Sequence, residues 1–129
     1  MAVTILRGLA GLIGLLMIVM GLNWLIDPGT AAEQLGMPLL EGVGRSAQVG
    51  DFTAFFLGIG VMALLGIWLR NATFLHSAAM LMGFAATFRT AAWALHGAEF
   101  VAQAIVFEVV STIIFLTAAA KSNDGAENS

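Results

Sequence analysis

The chain has 129 residues, 60% of them apolar and 10% charged, with a formal net charge of −3. That balance excludes an ordinary soluble domain, and five scattered basic residues leave no electrostatic footprint for nucleic acid. With no cysteine there is no disulfide, thiolate metal site or thiol nucleophile, and the two histidines, His76 and His96, make no metal site by themselves.

Four apolar runs of about 17 to 24 residues fill most of the chain, and each can cross a hydrocarbon core of roughly 30 Å as a helix. The expectation is all-α: a four-transmembrane-helix bundle, up-down-up-down, with a short surface helix between the first two spans. Residues 1–120 form the one domain, and the polar tail 121–129 is expected to be disordered.

The first span runs from Leu6 to Ile26 and is too long for the core of a secretory signal. Gly8, Gly11 and Gly14 give it a small face on which another backbone can rest. Between Asp27 and Arg45 the periodicity breaks. Thr30 and Glu33 have the spacing of a capping box, Gly36 is a helix stop, and Pro38 lies beyond it, so a short surface helix is expected there. The second span is expected from Ser46 to Leu69, closed by Arg70-Asn71. A very short turn leads to the third, Ala72 to Leu95, which His96-Gly97 ends, and the fourth runs from Glu99 to Ala120. Arg7, Arg70 and Lys121 fall at one end of this bundle and Arg45 at the other. The basic majority places both termini in the cytoplasm. Trp24, Trp68 and Trp93 lie near span ends, where interfacial anchors are usual.

Polar residues concentrate at the head of the second span, where Arg45, Gln48 and Asp51 recur every third residue. Arg89 and Glu108 lie within the third and fourth spans. At a rise of about 1.5 Å per residue, Asp51, Arg89 and Glu108 come to a similar level, roughly 10 to 13 Å below the outer ends of their helices. Ionisable groups at such depth usually face the bundle interior and pair. The simplest arrangement sets Arg89 between Asp51 and Glu108, with Asp51 as its main partner. Trp93 and His96 fall on the same helix face as Arg89, and Glu99 is close to His96 in sequence. Arg45, Gln48, Asp51, Arg89, Trp93, His96, Glu99 and Glu108 are therefore the candidate ligand-binding residues, in a pocket that opens outward beside Phe52 and Phe55.

No phosphate loop, Gly-x-Ser-x-Gly elbow or His-Glu-x-x-His pair is present. Seven methionines are spread through the spans without a ladder spacing. These features point to a binding protein for a lipid, a quinone-like molecule or a partner subunit. Alternatives are an intramembrane enzyme that moves a proton with a buried carboxylate, or a small proton or solute transporter. The glycine face of the first span, with Ala79 and Gly83 in the third, also suggests contact with a second copy or another membrane protein.

The Gly-Arg-Ser-x-Gln-x-Gly-Asp-Phe stretch at 44–52 and the Phe-Arg-Thr-Ala-Ala-Trp-x-x-His-Gly stretch at 88–97 resemble those of small four-span bacterial proteins of the DoxX-like group. The resemblance covers the chain apart from its tail. It implies a four-span fold in a bacterial inner membrane, and implies no catalytic residue.

Overall fold

The computed structural model describes the backbone of residues 1–127 and the side chains of residues 1–123. Five helices follow one another: α1 (Ala2–Ile26), α2 (Pro28–Gln34), α3 (Gly42–Trp68), α4 (Ala72–His96) and α5 (Ala102–Glu127). α1, α3, α4 and α5 are each long and apolar enough to cross a membrane, and α2 is the expected short helix between the first two. Their outer faces carry exposed Leu12, Val19, Phe88, Val106 and Ile113, a surface that suits hydrocarbon and not water.

Helix ends follow local chemistry. Asp27 caps α2: its Oδ1 accepts from the Thr30 backbone N–H at 3.3 Å, and its Oδ2 accepts from the Thr30 hydroxyl at 2.8 Å. Pro28 occupies the first helical position, where a missing N–H costs nothing. The cap is thus Asp27 and not Thr30, because proline at 28 lets the helix begin a turn earlier than the Thr30–Glu33 spacing suggested. Gly36 and Gly97 take left-handed φ values of 72° and 67° and stop α2 and α4 as expected. α3 starts at Gly42, four residues before Ser46, and α5 starts at Ala102, three after Glu99. α5 continues through Glu127, past the point where the polar tail was expected to begin, and residues 128 and 129 of that tail lie outside the described residues.

The spans pack as two intimate pairs, α1 with α3 and α4 with α5, which meet less closely through α3–α4 and α1–α5. Glycine makes the first pair possible. A Cβ on Gly60 would come within 2.6 Å of the Gly14 carbonyl oxygen, and one on Gly21 within 2.9 Å of Leu57. Gly8 has open space around it, and Gly11 meets only the Ile67 side chain. The small residues Ala79 and Gly83 on α4 are likewise used inside the chain: Ala79 is buried, and Gly83 faces Thr112. At the end away from α2, the Arg7 guanidinium donates to the Ile67 carbonyl at 2.9 Å, which brings the start of α1 to the α3–α4 turn.

Trp24 is not an interfacial anchor. It is 1% exposed and stacks on Phe52, ring centroids 4.6 Å apart, because the glycines of α1 and α3 draw its helix close to its neighbour. Trp68 is 81% exposed and Trp93 half-exposed, edge-on to Phe100.

Candidate functional site

Between the two helix pairs, toward the α2 end, lies a cavity of about 930 Å³. α1 contributes Met17 and Met20 to its wall, α3 contributes Phe55 and Phe56, and α4 and α5 contribute Arg89 and Glu108. Gln34 at the end of α2 and Glu99 in the connection between α4 and α5 also line it. Deeper in the bundle the space is closed by side chains with no exposure: Ile59, Ala63, Leu75, Ala78, Phe115 and Ala118. The cavity is blind at that end.

Its charged centre is one ion pair. Arg89 Nε donates to Glu108 Oε1 at 2.8 Å, with the Arg89 side chain 40% exposed and that of Glu108 only 8%. The level of the pair follows from the helix bounds. Arg89 is seven residues from the end of α4 and Glu108 six from the start of α5, about 10 Å in each case. Glu108 is thus shallower than expected from a helix beginning at Glu99, and it sits level with Arg89.

The expected Arg89–Asp51 pair does not form. Asp51 is exposed on α3, where Gln48, Phe56, Ile59, Ala63 and Gly66 define the inward face, and at about 100° per residue Asp51 points roughly 90° away from their mean direction. Among the described residues the Arg89–Glu108 contact is the one salt bridge.

Arg45 and Gln48 have a different task. The buried Gln48 amide accepts from the Leu40 N–H at 2.7 Å and donates to the Pro38 carbonyl at 3.0 Å and the Met37 sulfur at 3.2 Å. Arg45 Nε donates to the Leu40 carbonyl at 2.8 Å. Both side chains clasp the 37–40 connection to α3, and neither lines the cavity. Trp93 and His96 are exposed and also stay outside it. Of the eight candidates, the structure brings together Arg89, Glu99 and Glu108.

Gln34, Gln103 and the methionines Met17, Met20 and Met82 line the cavity without having been singled out. Gln103 and Phe107 lie one turn apart on a shared helix face, with Phe107 next to Glu108 in the chain, a spacing visible in the sequence. The methionines carried no signal, since apolar residues surround them on every side of their helices.

Three buried oxygens lack a hydrogen-bond partner among the described residues: Glu108 Oε2, Ser111 Oγ and Thr53 Oγ1. An unmet buried acceptor on a charged group costs more than about 1 to 3 kcal/mol, so Glu108 Oε2 is the notable one. The remaining N–H groups of Arg89 make no hydrogen bond among the described residues either. The wall therefore offers a carboxylate short of a donor and a guanidinium short of acceptors, inside mostly apolar surroundings. No group of three or more metal-ligating side chains occurs among the described residues. No protein-family model, curated protein or solved structure matches the chain.

Proposed function

We propose that this chain is a membrane-embedded binding protein that holds a small apolar molecule by a polar group at the Arg89–Glu108 pair. One observation carries the reading: a buried carboxylate oxygen without a hydrogen-bond partner among the described residues, on a residue that lines a large and mostly apolar cavity. A lipid with a hydroxyl in its head, or a quinone-like molecule in its hydroxyl-bearing form, fits such surroundings. The closed apolar core beneath the cavity gives a transported ion no path to the other end, which favours binding over transport. The DoxX-like resemblance supports a bacterial inner membrane as its location. Arg7, Arg70 and Lys121 support cytoplasmic termini, so the cavity opens outward; a reporter fused after Lys121 that is active in the periplasm would reverse that orientation.

Native mass spectrometry of protein taken from the membrane in mild detergent tests the binding reading. A retained small molecule, lost when Ala92→Trp fills the cavity wall, is the expected result. A bare polypeptide in every preparation overturns it.

A further inference from the structure

The cavity does not end at its own wall. A shallower groove of about 550 Å³ runs along the outer half of α1, lined by Val19, Leu22, Asn23 and Ile26, and it shares Leu16, Met20 and Gln34 with the cavity. Leu16, Val19, Leu22 and Ile26 are exposed on the face that a bilayer would touch. On the other side of the gap stand Gln103 and Ala104 of α5, along one of the two looser seams between the helix pairs. A path thus leads from the membrane-facing side of α1 to the ion pair. Short of the pair its polar side chains are the amides of Asn23 and Gln34 in the groove and of Gln103 in the cavity, together with the Glu99 carboxylate in the cavity wall.

We propose that the cavity is loaded sideways from the bilayer, over the lip formed by Leu16, Met20 and Gln34, and that its ligand is a long-chain alcohol. This rests on the binding reading above and adds the route and the head-group chemistry. The head descends past neutral amides, which exchange hydrogen bonds with it at each stage, while the hydrocarbon tail stays in the membrane or against the methionines of the cavity. At the floor a hydroxyl meets both unmet needs with one atom: it donates to Glu108 and accepts from Arg89. The broad, two-fold terminal torsion of a glutamate lets the carboxylate turn Oε2 toward an arriving donor. A carboxylate head is disfavoured, because Arg89 is already neutralised by Glu108 and Glu99 adds a second negative group to the wall. An ammonium head meets the acceptor but is set against the guanidinium. A head with acceptors alone leaves Glu108 Oε2 unmet.

The absence of cysteine leaves light-driven labelling free of thiol side reactions. The protein is placed in phospholipid nanodiscs with a long-chain alcohol that carries a diazirine close to its hydroxyl, irradiated, and mapped by peptide mass spectrometry. Labelling is expected at the lip residues Leu16 and Met20 and inside at Phe55 and Met82. The matching fatty acid and alkylammonium are expected to label Phe55 and Met82 at least about tenfold less, the equivalent of roughly 1.4 kcal/mol in affinity. Leu16→Trp narrows the lip at a half-exposed position, and Met20→Trp repeats the block should the first variant fold poorly. Each is expected to slow labelling of Phe55 and Met82 about tenfold at equal occupancy of the outer faces. Unchanged interior labelling in both variants overturns the sideways route and leaves the binding reading intact. Equal labelling by the acid or the ammonium overturns the alcohol assignment. No interior labelling in the unaltered protein overturns this proposal, and a bare polypeptide in the mass-spectrometric test is what overturns the binding reading.

Discussion

Glu108 is almost fully buried while its partner Arg89 is two-fifths exposed, and this asymmetry decides what each substitution costs. Arg89→Gln strands a carboxylate in an apolar wall and is expected to destabilise by about 3 kcal/mol or more. Glu108→Gln leaves a guanidinium that already reaches the open part of the cavity, and is expected to cost nearer 1 kcal/mol. Asp51→Asn, on an exposed face, should stay within about 0.5 kcal/mol. Thermal unfolding of the singles and doubles, read as two cycles, should show coupling for Arg89 with Glu108 and none for Arg89 with Asp51. Equal losses for Arg89→Gln and Glu108→Gln would contradict the burial asymmetry. That Arg89 and Glu108 share a depth was legible in the sequence, because depth needs only a count along each helix. Which carboxylate Arg89 meets was not. Partner choice depends on how each helix is rotated, and a span with apolar residues on all sides conceals its inward face. Gln48 misled for a related reason: its spacing with Asp51 suggested a shared site, yet its hydrogen bonds all go to the 37–40 connection.

At the scale of helices, the glycines separate those that permit contact from those that do not. Gly60→Ala puts a methyl group against the Gly14 backbone oxygen, which cannot move without shifting α1. A loss of about 2 kcal/mol is expected. Gly8→Ala meets nothing within 4 Å and is expected to be neutral or stabilising by up to about 1 kcal/mol. Melting temperatures of the two variants in one detergent compare them directly, and a similar loss in both would remove the close α1–α3 contact as the cause. The helix stops at Gly36 and Gly97 and the short turn after Trp68 were legible because each depends on local backbone chemistry. The starts of α3 and α5 were not. Gly42 and Gly44 look like loop residues, and Glu99 looks like a first-turn acid, but tertiary packing extends one helix and the left-handed Gly97 delays the other.

Taken as a whole, the molecule is two helix pairs with a cavity at their α2 end and a closed apolar core at the other. The count of spans and their alternating directions were written in the lengths of the apolar runs; the cavity was not, since it arises where two pairs fail to close on each other. The partition also bears on how the chain is made. Arg89 and Glu108 lie only 19 residues apart, on the two arms of the α4–α5 hairpin. α4 is the least apolar of the four spans, and a lone arginine within it would oppose transfer from the translocon by roughly 2.5 to 3.5 kcal/mol. If the hairpin partitions as a unit, Glu108 offsets that cost before α1 and α3 are engaged. Glu108→Leu, though it makes α5 more apolar, is then expected to lower the fraction of α4 that inserts during synthesis into microsomes, scored by glycosylation of engineered acceptor sites on either side of it. Unchanged insertion would show that α4 enters the bilayer alone and that the ion pair forms afterwards. The same two residues would thus serve first as a passport for their own hairpin during biogenesis, and only later as the floor of a cavity.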